Sequence, residues 1–173
     1  MAEQIRFFEK PVSDPTQPNV AATASLAPSL AAYAINRGFF SAWVTTGSVD
    51  ADLPYWEVDW ADQRDVDSVF LVKHNFKAYT VQYWDGAAFQ NFSTTIAETV
   101  NTAETTFHEF TTVSTSKIRI TIQGTMVANS DKFLYYFAAC ASLGQLEGWP
   151  IIKNPKVSKA TKLTRMLSGK ADI

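Results

Sequence analysis

The chain has 173 residues, of which 46% are hydrophobic and 13% aromatic, and it carries a formal net charge of −2. That is one domain's worth of sequence with material for a sizeable core, so a wholly disordered chain and a two-domain chain are both excluded. Its apolar runs are too short and too interrupted for a membrane-spanning helix, and the single cysteine, Cys140, excludes an internal disulfide.

Residues 1–19 hold Pro11, Pro15 and Pro18 between polar spacers, which predicts a loosely packed, irregular arm. The first six residues are polar and no apolar h-region follows, so export by a signal peptide is not expected. Residues 21–34 are alanine-rich, but Pro28 interrupts them and Thr23, Ser25 and Ser29 favour turns, so a short strand or turn followed by one helical turn is expected. A strand over 41–46 and a polar loop over 47–54 come next.

The centre of the chain is residues 55–73. Trp56, Val58 and Trp60 alternate with Tyr55, Glu57 and Asp59, the period-2 pattern of a strand with one buried face. Residues 61–65 are polar and read as a charged turn. Val66, Val69, Phe70, Leu71 and Val72 are too dense for a half-exposed strand, which places a second strand near the middle of a sheet. A loop over 74–78 then leads to the alternating run 79–84. Asp85-Gly86 between two aromatic-rich runs predicts a tight two-residue hairpin, because both central residues of a type I′ turn need positive φ.

Residues 93–106 read as a loop with at most a short strand. Residues 107–113 and 117–123 read as two strands, the second with Ile118, Ile120 and Ile122 on one face. Residues 124–131 make a turn, and 132–142 form a long buried strand in which Cys140 is an inert core thiol. About seven strands without a long helix define an all-β chain, an antiparallel β-sandwich or jelly roll. The expected layout is an N-terminal arm over 1–19, a sandwich over 20–148 and a basic C-terminal extension over 149–173.

The order of these features resembles the discoidin or coagulation-factor C-type family of galactose-binding-like jelly rolls. Ala34-Ile35-Asn36-Arg37-Gly38-Phe39-Phe40-Ser41-Ala42-Trp43 has the spacing of that family's opening Ala-x-Asp-Gly-x-x-x-Thr-x-Trp motif. Tyr55-Trp56-Glu57-Val58-Asp59-Trp60 matches its aromatic strand ending in aspartate. A Val-x-x-Val strand at 66–69, a Tyr-x-Val strand with its Asp-Gly hairpin at 79–86, and Ile118-Arg119-Ile120 follow in the family's order. The resemblance covers residues 20–143. It implies a structural calcium near Asn36, Gly38 and Ser41, but Asn36 and Arg37 stand where relatives have aspartate and glycine, and residues 133–142 offer no carboxylate. No cofactor is therefore expected. The exit after Gly144 and the tail beyond it are similar to bacteriophage and prophage virion proteins.

No nucleophile elbow, zinc-protease motif or phosphate loop is present, so the chain is not read as an enzyme. His108, flanked by Phe107 and Phe110, reads as a solvent-facing strand residue. The acids Asp50, Asp52, Glu57, Asp59, Asp62, Asp65 and Asp67 are dense enough to suggest a glycosidase pair or a metal site, but alternating charge opposite buried aromatics is what a solvated sheet face looks like, and that reading is preferred. Ligand recognition in such a fold belongs to loops at one end. His74, Asn75, Lys77, Trp84, Asp50 and Asp52 are the candidates, with Trp84 as the plate for a sugar's C–H face and the others as hydroxyl partners, against the alternative that Trp84 packs on its own sheet.

Six basic residues, Lys153, Lys156, Lys159, Lys162, Arg165 and Lys170, crowd residues 150–173 against Asp172 alone, leaving nine basic and sixteen acidic residues for the rest. The three-residue spacing of Lys153, Lys156, Lys159, Lys162 and Arg165 forms no single cationic helix face, and no aromatics interleave, so nucleic acid is disfavoured and docking of the arm on a neighbouring subunit is expected. The sequence thus reads as a non-catalytic structural or adhesion component of a bacteriophage-like virion, such as a tail, baseplate or capsid-associated protein, and as a homo-oligomer located in the virion. The competing reading is a bacterial carbohydrate-binding module whose partners are glycans.

Overall fold

The computed structural model describes residues 5–16, 19–26, 28–36 and 41–146. The strands are β1 (Ile5–Phe8), β2 (Ala21–Ala24), β3 (Trp43–Val44), β4 (Tyr55–His74), β5 (Phe76–Trp84), β6 (Phe89–Glu98), β7 (Thr105–Thr125), β8 (Phe133–Cys140) and β9 (Ser142–Leu146). Two 3₁₀ segments, Pro28–Ile35 and Asp50–Asp52, complete the described elements. The compact unit that matters here is Phe7–Gly144. Of the expected basic arm, Lys153, Lys156, Lys159, Lys162 and Arg165 lie outside the described residues, as does Gly38.

All strand pairings given for this unit are antiparallel, and two long strands organise them. The first part of β4 pairs with β2 and with the second part of β7, which in turn pairs with β5, and β5 with β6. The second part of β4 pairs with β8 and with the first part of β7, and β3 closes the edge beyond β8. Side chains from the two sets meet face to face: Trp56 and Phe137 have ring centroids 5.1 Å apart, and Phe92 and Phe110 stack at 3.8 Å. The result is an antiparallel sandwich in which β4 and β7 cross from one layer to the other.

That crossing corrects two expectations. Residues 55–60 and 66–72 are one twenty-residue strand, not a hairpin, and residues 107–113 and 117–123 are likewise one strand. The polar run between the halves of β4 is an irregularity where register shifts between Asp59 and Arg64, and Ala61 takes φ 64° with its N–H donating to Asp59 Oδ1 at 2.8 Å. A strand that changes layers exposes both faces at the corner, so its residues there are polar without being a turn.

Alternation does hold where each half is paired. Trp56, Val58 and Trp60 are buried, as are Ile118, Ile120 and Ile122 opposite them. The indole of Trp56 donates to Ala31 O at 3.0 Å and that of Trp43 to Leu26 O at 3.2 Å, so two core tryptophans pin the segment around Pro28–Ile35 to the sandwich. Trp60 donates to Thr115 O at 2.9 Å, satisfying its only polar atom inside the core.

Four local expectations also change. Val12, Ser13 and Asp14 are buried and Val12 N donates to Ala139 O at 2.9 Å, so this part of the N-terminal arm is integrated rather than loose. The Asp85-Gly86 hairpin is real, but it is a four-residue loop between the paired residues Trp84 and Phe89, with positive φ at Gly86 and not at Asp85. Asp85 Oδ1 instead accepts from the N–H groups of Ala87 and Ala88, both at 2.8 Å, the local capping that suits aspartate to turns. The presumed loop at 93–106 is strand through Glu98. The presumed loop at 74–78 shrinks to Asn75, because β4 runs through His74 and β5 starts at Phe76.

Candidate functional site

Register places the two ends of the sandwich. Phe76 lies opposite Thr125 at one end of β5, and Tyr83 opposite Ile118 near the other. The eight residue steps from Phe76 to Trp84 span about 26 Å at strand rise. His74, Asn75, Lys77, Asp50 and Asp52 therefore gather at one end, while Trp84 sits at the other, and the structure does not bring the expected sugar plate to its expected polar partners.

At the His74 end most of those polar groups serve the loops themselves. Asn75 Nδ2 donates to Asp131 O at 2.7 Å while its Oδ1 accepts from Phe133 N at 3.0 Å. Asp50 accepts from Thr125 Oγ1 at 2.9 Å and from Asn129 N at 3.1 Å. Burial is the largest single influence on its carboxyl and raises the pKa, but the bonds from Asn129 and Thr125 together with Lys132 outweigh it and hold the group below the usual carboxylate value. Asp52 Oδ2 accepts from Val49 N at 2.8 Å. Loop N–H and C=O groups must be satisfied by something, and here these side chains do it. Lys77 is exposed, makes no side-chain bond among the described residues, and lines an open pocket of 330 Å³ with Asn101, Thr102 and Met126. Asn101 Nδ2 is already engaged by Phe76 O and Ala103 O at 2.8 Å each.

His74 faces inward and is fully buried. Its Nδ1 accepts from Phe76 N at 3.1 Å, which leaves the proton on Nε2, 3.2 Å from Thr106 Oγ1. Tyr79 donates its hydroxyl to the same Thr106 oxygen at 3.0 Å and lies 2.8 Å from His108 Nε2. His108 is thus half-buried and joined across the layers, contrary to the solvent-facing role expected for it. Burial, and secondarily the neighbouring His108, lowers the His74 pKa to about 4; burial also lowers that of His108 against the pull of Glu98 and pushes Tyr79 up to about 12.

The sequence reading missed Lys132. Its side chain is fully buried at the same end, with Nζ 3.2 Å from Asp50 Oδ1 but without a well-aligned hydrogen bond. A buried ammonium with one carboxylate is costly unless paired, and breaking the pair is worse than replacing the cation. Asp50→Ala is expected to lower stability by about 1–3 kcal/mol, whereas Lys132→Met, which leaves Asp50 bonded to Thr125 and Asn129, costs less than about 1 kcal/mol or stabilises. Urea midpoints of the two variants check this, and equal losses would contradict it. The only sequence signal was a lysine at the head of an otherwise apolar run.

Of the expected calcium loop, Asn36 and Ser41 are exposed, residues 37–40 lie outside the described residues, and β8 carries no carboxylate. Among the described residues no three His, Cys, Asp or Glu side chains converge as a metal set, and no helix is long and apolar enough to cross a membrane.

The other end differs in kind. Trp84 is half-buried, meets Phe89 edge-on at 5.1 Å, and has Lys117 Nζ 5.8 Å from its ring centre. Thr115 Oγ1 accepts from Trp84 N at 3.2 Å and donates to Trp84 O at 2.8 Å, while Thr115 is itself the register partner of Arg64. On the outer sheet face Glu57 and Asp59 are paired with Arg119 at 2.8 Å and Lys117 at 2.7 Å, so these acids form a charge-compensated sheet surface. Beyond β7 from the hairpin, the β4 irregularity opens a pocket of 410 Å³ lined by Glu9, Lys10, Val12, Gln63, Arg64, Asp65 and Ala141.

No protein-family model matches the chain, and no curated protein matches it significantly. Solved structures do. Chitosan-binding module 1 of the chitosanase/glucanase from Paenibacillus sp. IK-5 superposes with a TM-score of 0.62 at 19% identity, covering 76% of this chain and 98% of the module. CpGH89CBM32-5 of Clostridium perfringens, solved with GalNAc-β-1,3-galactose, gives 0.58 at 13% identity over 71% and 96% of the two chains. A pectin-binding carbohydrate-binding module gives 0.54 at 17% identity over 69% and 88%. The chain therefore has the antiparallel jelly-roll sandwich seen in carbohydrate-binding modules, the fold that the discoidin-like resemblance implied.

Proposed function

We propose that this chain is a non-catalytic carbohydrate-binding module. The observation that carries the reading is near-complete coverage of individual binding modules, 98% of the chitosan-binding module and 96% of the Clostridium module, so that the shared fold runs through each module from end to end. The placement of the acid–base side chains supports it further: both histidines are engaged in a network between the layers, and Glu57 and Asp59 are held in ion pairs. The virion reading draws on the C-terminal exit, which lies outside the described residues beyond Leu146, and none of the structures named above is described as a virion protein.

The test is retention of the purified chain on an array of neutral, glucosamine and uronic-acid oligosaccharides, with incubation of the same glycans to look for cleavage. Retention without cleavage is expected. Failure to retain any glycan, or release of sugar products, would refute the proposal.

A further inference from the structure

We propose that the open pocket at the β4 irregularity is the glycan subsite, and that it takes an uncharged pyranose. This assignment rests on the carbohydrate-binding reading above. The pocket's 410 Å³ falls within the range of about 300–1,000 Å³ typical of small-ligand sites.

Three observations single it out. First, its walls present planar hydrogen-bonding groups that the fold leaves unused: Glu9, Gln63, Arg64 and Asp65 make no side-chain hydrogen bond or ion pair among the described residues. At the opposite end the comparable groups of Asn75, Asp50 and Asn101 are engaged in loop architecture. Sugar hydroxyls are both donors and acceptors, and a carboxylate, an amide and a guanidinium side by side match that demand.

Second, the charges in the pocket balance. Glu9 and Asp65 line it together with Lys10 and Arg64, and Lys10 also reaches Thr16 at 2.7 Å and the buried Asp14 at 3.7 Å. An anionic sugar would meet two carboxylates and a cationic one would meet a guanidinium and an ammonium, so an uncharged polyol is the ligand with no like-charge cost.

Third, the pocket is built on a fixed irregularity rather than a free loop. The register shift between Asp59 and Arg64, with the Asp59 bond to Ala61, leaves residues 60–63 without register partners on β7, so Gln63 lies in the irregularity and Arg64 and Asp65 are held in the ladder directly after it. Glu9 N donates to Ala141 O at 3.0 Å and fixes the facing wall. Thr115, opposite Arg64, grips the Trp84 backbone, so an aromatic pair stands two strands away, about 10 Å, where a second ring of an extended glycan would reach it.

The experiment compares the whole chain with Gln63→Ala, Arg64→Ala and Lys77→Ala on the same array of neutral, glucosamine and uronic-acid oligosaccharides, thermal melting confirming that each variant is folded. Retention of neutral glycans is expected for the unmodified chain and for Lys77→Ala, with at least a tenfold loss for Gln63→Ala and for Arg64→Ala. Retention lost with Lys77→Ala but kept by the other two moves the site to the opposite end and overturns the assignment while leaving the carbohydrate-binding reading intact. Exclusive retention of charged glycans overturns the ligand class. If the unmodified chain retains no glycan, both this assignment and the reading beneath it fail.

Discussion

Trp56→Ala is expected to destabilise the Phe7–Gly144 unit by about 3–5 kcal/mol, a large part of the roughly 5–15 kcal/mol that holds a domain folded. The residue has no exposed surface, touches Phe137 of the other layer at 5.1 Å between ring centres, and donates its indole N–H to Ala31 O. Truncation removes the aromatic contact between the layers, opens a cavity that close-packed neighbours fill only in part, and leaves a carbonyl near Pro28–Ile35 without its donor. Trp56→Phe keeps most of the volume and loses only the hydrogen bond and the larger ring, so it is expected to cost about 1–2 kcal/mol. Urea denaturation followed by intrinsic fluorescence and circular dichroism reads both. If Phe137→Ala is made in each background, the pair should couple by about 0.5–1.5 kcal/mol. Additive losses would mean that the rings do not join the layers energetically, and the two-layer description would lose its principal support.

The core was legible because strand alternation is a local signal. Trp56, Val58 and Trp60, like Ile118, Ile120 and Ile122, reveal their buried face in six or seven residues of sequence, whatever their partners are. The corner was not legible for the complementary reason. Residues 61–65 are polar because a strand changing layers is wet on both sides, and a turn would have the same composition. Loop side chains posed a further problem. Asn75, Asp50 and Asp52 look identical in sequence whether they reach outward to a ligand or inward to a neighbouring N–H, and the structure turns most of these groups inward. The connection entering a strand and the hairpin leaving it lie at opposite ends, so β5 separates His74 from Trp84. The pocket at residues 63–65 has no sequence signal of its own, because a polar run of this composition reads as a turn.

The network between the layers leads to the second large effect, a loss of stability on mild acidification. Folding holds His74 at a pKa of about 4, against an ordinary value of 6.5, chiefly through burial. The unfolded chain therefore binds a proton that the folded chain refuses between those two values, and stability falls as pH drops through that window. The full contribution of His74 is present above pH 6.5, declines steadily to about pH 4, and by then amounts to on the order of 3 kcal/mol lost. His108 is also lowered by burial and adds to the loss in the same direction, with Glu98 opposing it. The carboxylates act elsewhere on the scale: Asp50 and Asp85 are both held below their usual value, so their contribution is lost only as pH falls below about 4. Urea midpoints measured between pH 7.5 and 4.5 thus isolate the histidines, and in His74→Gln the slope over that interval should flatten by more than half. The physical cause is geometric: a protonated imidazole places a hydrogen on Nδ1, where the Phe76 N–H already points, so charging His74 removes one bond and strands a cation among Phe76, Tyr79 and Thr106. An unchanged slope in the variant would show that protonation is accommodated without opening the sandwich, and would place the acid sensitivity on other groups.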